Sequence, residues 1–427
     1  MVMENEDLRN QILNPQRKRI LFIEPDLPYP LDSGGNQAIY NGILSVMNDM
    51  DVFVTFMEGW HYSDEGMKAI QERLPKVEFL PFSQKIEDEG LSLFERTIAS
   101  LYYRTTYKKR RKPDHFQSQY TCESFPNDYL QFLNEKIREL SIDIVIVEMP
   151  WMMSIVTALP TNVKKVFIHH ELRFVRNILE LENLGYSLFR ESAVKVAKIL
   201  EVGLLNMYDA IVTLSAVDKR KIESIGVTTP VYSSFAIVDK NSDYECRDNI
   251  KPNILTFVGF GYHLPNKVGL RWFLDNCWGK LLKDNPNYHL NIIGKWEGQD
   301  IASFTNKYSQ VHFLGFVDKL YDELNGTVMI VPITIGSGIR MKILEAANMS
   351  IPFVTTSLGV EGLNFINGKD CFIADTPDAF IAGIKALESK DLQNRMTLSA
   401  KETVSTQYSI EALRKNRLKI LSSVCLD

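Results

Sequence analysis

Short runs of apolar, β-branched residues alternate along the chain with longer stretches of helical character. The runs are continuously apolar rather than alternating, which is typical of strands covered on both faces. This alternation of strand and helix predicts parallel sheets with helices packed on both sides. In the first half of the chain the predicted strands are Arg19–Glu24, Val52–Met57, Val77–Leu80, Ile142–Val147, Lys165–His169, Ala210–Leu214 and Val231–Ser233.

A polar, charged segment at Val238–Lys251 interrupts this pattern, and a second strand–helix series follows it. We predict that the segment is a linker between two doubly wound, Rossmann-like α/β domains, at 1–238 and 239–408. The end of the chain, 409–427, reads as a separate helix. The second series of predicted strands is Ile254–Val258, His289–Ile293, Val311–Leu314, Thr327–Val331, Phe353–Thr355 and Phe372–Ala374.

Composition narrows the class of protein. The chain has 427 residues, with 45% hydrophobic and 24% charged residues, which suits a globular protein with two full cores. The formal net charge of -5 gives no basic balance of the kind that nucleic-acid binders carry, so we expect no nucleic-acid partner. Five scattered cysteines without a C-x-x-C pair argue against a zinc ribbon or disulfide framework and fit a reducing compartment.

The chain also lacks the usual sequence signals for export. Its first residues are acidic and polar, unlike a secretory signal, and no run reaches the ~18 consecutive apolar residues of a membrane-spanning helix. We therefore expect a cytoplasmic protein.

The most informative stretch is VPITIGSGIRMKILEAANMSIPFVT, residues 331–355. A glycine turn, Gly336–Ser337–Gly338, follows a strand and opens a helix. Free N–H groups at a helix start bind anions, and Arg340 and Lys342 add positive charge there. Glu345 lies one turn further on and is suited to accept hydrogen bonds from two ribose hydroxyls. The alternative is a glycine-rich turn with surface charges.

With the following SLGVEGL, residues 357–363, this stretch resembles the donor site of GT-B glycosyltransferases of the group 1, or family 4, type. It is most similar to the subgroup with G-S-G-x-R-x-K-x-L-E-A. The resemblance implies two Rossmann-like domains facing across a cleft, a nucleotide-diphosphate-sugar donor and transfer with retention of configuration. It also implies that the C-terminal helix crosses back to the N-terminal domain, and that Gly359, Glu361 and Gly362 serve the donor.

The family's usual motif carries two glutamates. The second matches Glu345, which the resemblance assigns to the donor ribose. The first falls at Ser337 and is missing here, so which residue holds the hydroxyls of the donor sugar stays open. PYPLDSGGNQAIY, residues 28–40, resembles the family's first loop, in which Gly34 and Gly35 let the backbone lie against donor and acceptor. An ordinary glycine turn before a helix is the alternative.

IHHE, residues 168–171, ends a strand at the position where family members often carry a histidine facing the donor sugar. His170 is the best match and His169 the second choice. A zinc-protease H-E-x-x-H motif is excluded, because Phe174 stands where the second histidine belongs. Glu148, after another strand, and Glu171 are candidates for the acceptor side.

GFGYHLPN, residues 259–266, also follows a strand, but Leu264 occupies the third glycine position of a dinucleotide-binding fingerprint. The resemblance implies a phosphate-side loop instead. Many family members have an arginine where this chain has Phe260. Lys267 is the candidate phosphate cation here, and a solvated surface lysine is the alternative.

Two further charge patterns, one acidic and one basic, have candidate roles. Asp49-Met50-Asp51 matches the metal-binding Asp-x-Asp pattern but reads as a turn, and we expect no metal requirement. The basic run Lys108–Lys112, close to aromatic residues, has two interpretations. It is either a solvated face or a peripheral contact with an anionic membrane at the inner face, which suits a lipid-linked acceptor.

Together these observations predict a hexosyltransferase that moves a sugar from a nucleotide-diphosphate-sugar to a glycan, lipid-linked or protein acceptor in surface polysaccharide or glycoconjugate synthesis. His170 and Lys342 are the candidate catalytic residues, with no tightly bound cofactor. Three alternatives stay open: a catalytically silent partner subunit with this fold, a sugar-nucleotide epimerase, and, least favoured, a nicotinamide oxidoreductase. The sequence does not specify the base, the sugar, the acceptor or the linkage.

Overall fold

The protein is described by a computed structural model covering residues 17–59, 62–83, 125–238 and 250–426. The basic run at 108–112 and most of the predicted linker lie outside these residues. Packing separates the chain into two units. The second comprises Pro30–Ser45, Val212–Ser224 and the chain from Val231 onwards, and the first comprises the remaining described residues. The domain boundaries predicted from the sequence stay predictions.

The first sheet has seven parallel strands in the order β3-β2-β1-β4-β5-β6-β7. Its order reverses between β1 and β4, the position where open α/β sheets form their ligand crevices. Its strands are β1 (Arg19–Ile23), β2 (Asp51–Met57), β3 (Val77–Phe82), β4 (Ile144–Glu148), β5 (Lys164–His169), β6 (Ala210–Thr213) and β7 (Val231–Ser233).

The helices among these strands are α1 (Gly34–Val46), α2 (Asp64–Arg73), α3 (Asn127–Glu139), α4 (Arg173–Leu184), α5 (Leu188–Leu205) and α6 (Ala216–Glu223). A 3₁₀ helix covers Pro150–Ala158. α1 begins three residues earlier than the predicted Gln37, because the Ser33 hydroxyl accepts a hydrogen bond from Asn36 N at 3.2 Å and caps the two glycines into the first turn.

The second sheet has six parallel strands in the order β10-β9-β8-β11-β12-β13, and its order reverses between β8 and β11. The strands are β8 (Ile254–Val258), β9 (His289–Ile293), β10 (Val311–Gly315), β11 (Val328–Val331), β12 (Phe353–Thr355) and β13 (Phe372–Ile373). The helices are α7 (Leu264–Phe273), α8 (Gly279–Asp284), α9 (Gly298–Lys307), α10 (Leu320–Leu324), α11 (Met341–Asn348), α12 (Pro377–Ala386), α13 (Lys390–Gln407) and α14 (Ile410–Leu426).

Strand β11 shows why the apolar runs are continuous. Val328 and Ile330 pack into the core on one face of the second sheet, and Met329 and Val331 pack into the core on the other. Because successive side chains of a strand point to opposite faces, both faces require apolar residues. The prediction of parallel sheets covered on both sides is confirmed. Within the described residues, no helix is long and apolar enough to cross a membrane.

Candidate functional site

The predicted glycine turn connects β11 to α11 at the point where the order of the second sheet reverses. Gly336 and Gly338 have φ angles of 118° and 79°, which favour glycine over residues with a side chain. A Cβ at Gly336 would lie 3.1 Å from Pro265 Cγ, in the first turn of α7. The turn therefore brings the starts of α7 and α11 together, and both helix ends present positive dipoles.

Arg340 lies directly before α11 and is buried. One of its guanidinium nitrogens, Nη1, donates a short hydrogen bond to Gly338 O. We infer that this hydrogen bond stabilises the glycine turn and that the guanidinium adds positive charge next to it.

Lys342 reaches from the first turn of α11 to the carboxyl end of β8. Its Nζ donates hydrogen bonds to Val258 O at 2.5 Å and Asn266 Oδ1 at 2.8 Å, and lies 5.2 Å from the centre of the Phe257 ring. Burial lowers the pKa of Lys342 to about 7, and the charge of Arg340 contributes to the decrease. A bound anion would raise this pKa, so Lys342 would become more fully charged when an anion binds.

Glu345 lies on the same face of α11 as Lys342, because Ile343, Leu344, Ala346 and Ala347 occupy the buried face. Its Oε1 accepts a hydrogen bond from Gln37 Nε2 of α1 at 2.8 Å. Burial raises the pKa of Glu345, although the hydrogen bond from Gln37 and the charge of Lys342 oppose that shift. Lys342 and Glu345 are therefore both outside the part of α11 that packs into the core.

The start of α1 lies against the start of α11. A Cβ added to Gly34 would be only 2.8 Å from Met341 Cγ, so a glycine is needed for this close approach. Gly35 follows it in the first turn of α1. The predicted residues Gly34, Gly336, Gly338, Arg340, Lys342 and Glu345 are thus brought together around two adjoining helix starts, with Ser337 in the connecting turn.

Three other predicted donor residues make contacts elsewhere. Lys267 Nζ forms an ion pair with Asp300 Oδ2 at 2.6 Å, and Glu361 Oε2 accepts a hydrogen bond from Lys221 Nζ at 2.8 Å. Gly362 has a φ of 81°, and a Cβ there would come within 2.6 Å of Ser215 Cβ. The contacts of Glu361 and Gly362 fix the loop 357–363 against α6 and its capping residue Ser215.

Gly359 is a further predicted donor residue whose position in this loop is tightly constrained. Its N–H donates to Thr356 Oγ1 at 2.9 Å, and a Cβ there would collide with Thr355 Oγ1. The donor roles of Lys267, Gly359, Glu361 and Gly362 stay predictions.

The first sheet carries its own polar cluster where its strand order reverses. Glu24 directly follows β1, Glu148 ends β4 and His170 follows β5. His170 Nε2 and Glu148 Oε2 lie 2.5 Å apart, with the imidazole 10% exposed and the carboxylate 1% exposed. Because the carboxyl ends of parallel strands meet at one edge of a sheet, the predicted catalytic histidine and the predicted acceptor-side glutamate are direct partners.

Glu24 is fully buried, and neither of its carboxyl oxygens has a hydrogen-bond partner within the described residues. Burial raises the pKa of Glu24 well above its usual range, and the nearby charge of Glu148 raises it further. Both effects favour the neutral, protonated form of Glu24 beside the Glu148–His170 pair.

The two neighbouring histidines have different environments. His169 is fully buried, and its Nε2 lies 3.0 Å from Glu201 Oε1, whose other oxygen accepts from Phe174 N at 2.9 Å. The partly exposed His170 is the one available to a ligand. Glu171 accepts a hydrogen bond from Arg176 Nη1 at 3.1 Å, so this acceptor-side candidate is already paired.

Sequence reasoning missed Glu24, Gln37 and Asn266 as members of these clusters. Glu24 carried a usable signal, because it is a charged residue directly after a buried strand, as Glu148 ends one. Gln37 and Asn266 carried none, since amides after glycine turns are common on surfaces. Within the described residues, no three His, Cys, Asp or Glu side chains are arranged to hold a metal ion. The expected metal independence stays a prediction.

Two parallel doubly wound sheets in one chain, each with a polar cluster where its order reverses, define the GT-B class of fold. TarM of S. aureus matches with a TM-score of 0.66 and 12% identity, covering 96% of this chain and 99% of that one. HepE of Anabaena, solved with UDP and glucose, matches with a TM-score of 0.62 and 13% identity, covering 95% and 100% of the two chains.

The second half of the sequence matches a known family. Residues 252–390 match the family model described as "Glycosyl transferases group 1". This range includes the glycine turn and α11. The resemblance predicted from the sequence is thereby confirmed: residues 252–390 match the group 1 glycosyltransferases, and the chain has the GT-B fold. A Klebsiella pneumoniae protein described as an uncharacterized 44.6 kDa protein in the cps region is 23% identical over 382 residues, 84% of this chain and 87% of that protein.

Proposed function

We propose that the protein transfers a sugar from a nucleotide-diphosphate-sugar to a glycan or lipid-linked glycan. The observation that carries this proposal is the arrangement at the start of α11, where Lys342 and Glu345 share one face beside the glycine turn. A basic group for a diphosphate and an acidic group for a ribose stand one helical turn apart, as such a donor requires.

The chemistry we propose is electrostatic. As the bond between the sugar and the diphosphate breaks, negative charge builds on the leaving diphosphate. The N–H groups at the helix starts, Lys342 and Arg340 would stabilise that charge without a metal ion. In the free protein, Lys342 Nζ donates hydrogen bonds to Val258 O and Asn266 Oδ1. The phosphates of a bound donor would compete with these two acceptors for the lysine.

We assign the acceptor side to the Glu24–Glu148–His170 cluster, with His170 directed to the donor sugar and Glu148 to the acceptor. His170 is the only partly exposed member of these three, and Glu148 holds its imidazole at 2.5 Å. The carboxylate can therefore orient the imidazole ring.

Retention of configuration and a polysaccharide acceptor are the finer parts of the proposal. Retention follows from the resemblance to family 4 enzymes, and NMR of the first product, before mutarotation, tests it. The position of the Klebsiella relative in a cps region supports a surface polysaccharide as the acceptor class.

The donor proposal is tested by thermal denaturation with a panel of nucleoside diphosphates and nucleotide-sugars. A ligand that binds only the folded state stabilises it by about 2.7 kcal/mol at a concentration 100 times its Kd. We expect at least one nucleoside diphosphate to raise the Tm of the wild type and to have a much smaller effect on Glu345→Ala. If no ligand of the panel changes the Tm, the proposed donor site is wrong.

A further inference from the structure

An exposed pair of aromatic rings lies on the loop between β8 and α7, next to the candidate donor site. The rings of Phe260 and Tyr262 stack on each other, with centroids 5.4 Å apart and an angle of 11° between their planes. Tyr262 is 74% exposed, whereas Phe260 is half-buried. We call these two residues the aromatic platform. Because Phe260 covers one face of the Tyr262 ring, the other face is a flat apolar surface open to a ligand.

Hydrogen bonds to the end of β9 fix the main chain of this loop. Gly259 N donates to Ile293 O and Gly261 N donates to Lys295 O, both at 2.9 Å. Trp296 Nε1 donates to Gly259 O, also at 2.9 Å. A Cβ on Gly261 would come within 2.6 Å of the Trp296 ring, so the loop lies directly against the indole. The aromatic platform is therefore ordered in the free protein, which lowers the entropy cost of binding a ligand.

Asn266 connects the platform loop to the lysine of the donor site. Its Nδ2 donates a hydrogen bond to Phe260 O at 3.0 Å, and its Oδ1 accepts one from Lys342 Nζ at 2.8 Å. A Cβ on Gly259 would come within 2.6 Å of the Asn266 amide, so these groups are closely packed. A single buried amide side chain thus separates the platform loop from the group that we propose for the diphosphate.

The order of these contacts indicates which part of the donor meets the aromatic platform. Glu345 is the proposed ribose ligand, and Lys342 lies one turn nearer the start of α11. Lys342 extends from α11 to Asn266 and to the carboxyl end of β8, where the platform loop begins. In a nucleotide-sugar, the ribose and the sugar are attached to opposite ends of the diphosphate. The order from Glu345 through Lys342 to the platform therefore matches ribose, diphosphate and sugar.

Polar groups border the apolar ring. Although most of the Tyr262 ring is exposed, desolvation raises the pKa of Tyr262 and the charge of Asp32 raises it further. Its hydroxyl therefore lies close to the loop that leads to Gly34, where α1 begins. On its other side, the platform loop leads to Pro265, which packs near Gly336 of the glycine turn. A flat apolar face with polar groups at its border suits a sugar ring, which has both C–H bonds and hydroxyls.

We propose that the aromatic platform binds the sugar of the nucleotide-sugar donor, with the open face of Tyr262 stacked on the C–H bonds of the sugar ring. This inference rests on the proposed function and extends it to the group that is transferred. It separates the donor into parts with different protein contacts: the platform serves the sugar, whereas Lys342 and Glu345 serve the nucleoside diphosphate.

The test is isothermal titration calorimetry of the full chain with nucleotide-sugars and with the corresponding nucleoside diphosphates. The probes are UDP-glucose, UDP-N-acetylglucosamine, GDP-mannose and dTDP-rhamnose, each compared with UDP, GDP or dTDP. For the probe that the wild type binds, Tyr262→Ala should raise the Kd of the nucleotide-sugar by about fivefold to tenfold, which corresponds to about 1.0–1.4 kcal/mol. The Kd of the diphosphate should change by less than about twofold, because that ligand lacks the sugar.

Two further variants control this measurement. Tyr262→Phe keeps the ring and should keep the wild-type Kd for both ligands, which distinguishes stacking from hydrogen bonding by the hydroxyl. Tyr186→Ala removes a tyrosine of the first unit that is 71% exposed, and it should change neither Kd. Circular dichroism and the Tm establish that each variant is folded.

The outcomes separate this inference from the proposed function. A weaker affinity in Tyr262→Ala that is confined to the nucleotide-sugar supports the platform. An equal loss for nucleotide-sugar and diphosphate assigns the ring to the nucleotide and overturns the platform, while the proposed function stands. Unchanged affinities for both ligands overturn it as well. A wild type that binds none of the probes overturns the proposed function and the platform together.

Discussion

Gln37 Nε2 donates a hydrogen bond to Glu345 Oε1 at 2.8 Å, and so joins α1 to α11 across more than three hundred residues of sequence. The bond occupies one carboxylate oxygen and orients the other. A glutamate held in this way is suited to accept hydrogen bonds from the two hydroxyls of a ribose without losing further side-chain entropy on binding.

The first prediction concerns the affinity for the donor. Glu345→Ala should raise the donor KM by about tenfold to a hundredfold, because a hydrogen bond to a charged group contributes about 1.5–3 kcal/mol. Gln37→Ala should raise the donor KM less, since the Glu345 carboxylate stays and loses only the hydrogen bond that orients it. Steady-state kinetics measure both, and Glu402→Ala on the exposed surface of α13 is the control. An unchanged donor KM in Glu345→Ala would remove Glu345 from the site.

The second prediction concerns turnover. Lys342→Ala should lower kcat by about 10²–10³-fold, as the loss of one group that stabilises transition-state charge does in other enzymes. The donor KM should change much less, because the charge matters most when the diphosphate departs. Lys280→Ala is a matched control: this exposed lysine is paired with Asp378, and its loss should leave kcat within a few-fold of wild type. A kcat that falls equally in both variants would contradict this assignment.

The third prediction is proton uptake on donor binding. With a pKa of about 7, Lys342 is mostly neutral at pH 8 in the free protein. A bound diphosphate favours the charged form and raises this pKa, so binding at pH 8 should draw nearly one proton from solution. Calorimetry in two buffers with different ionisation enthalpies measures this uptake. Lys342→Met should abolish it, and equal heats in both buffers for the wild type would refute it.

The fourth prediction links Glu24 to stability. The folded protein holds a proton on Glu24 above the usual carboxyl pKa of 4.5, whereas the unfolded chain releases it there. Stability therefore falls as pH rises from 4.5 through the raised pKa, by at most about 1.4 kcal/mol per pH unit. Glu24→Gln cannot ionise and removes this loss.

Urea denaturation at several pH values tests the effect. The stability advantage of Glu24→Gln over the wild type should grow as pH rises, whereas Glu402→Gln should track the wild type throughout. An advantage that is constant with pH would mean that Glu24 does not titrate in the way its burial indicates.

The fifth prediction concerns the loop at 357–363. Gly362→Ala should destabilise the protein by about 1–3 kcal/mol, because its φ of 81° is strained for alanine and the added Cβ would meet Ser215 Cβ. Gly279→Ala, in a helix with open space around it, should be neutral or stabilising. Denaturant unfolding of the two variants measures the difference. Equal stabilities would show that the loop relaxes freely.

The parallel sheets could be predicted because strands such as Val328–Val331 are apolar at every position, which only burial on both faces explains. The glycine turn was predictable for a similar reason, since Gly336 and Gly338 need positive φ angles directly before a helix. The Gln37–Glu345 bond was not predictable, because sequence patterns describe neighbours within one element. The ion pair that occupies Lys267 was hidden for the same reason: nothing local marks Asp300 as its partner.

The most direct test of the proposed function is release of nucleoside diphosphate from the nucleotide-sugar that gives the largest thermal stabilisation. Purified protein is incubated with that donor, with and without a polysaccharide or lipid-linked acceptor fraction, and the released diphosphate is quantified for wild type, Lys342→Ala and Lys280→Ala. We predict acceptor-stimulated release by the wild type and Lys280→Ala, and about 10²–10³-fold slower release by Lys342→Ala. A wild type that binds the donor but releases no more diphosphate than Lys342→Ala, with any acceptor, would contradict the assignment as a transferase.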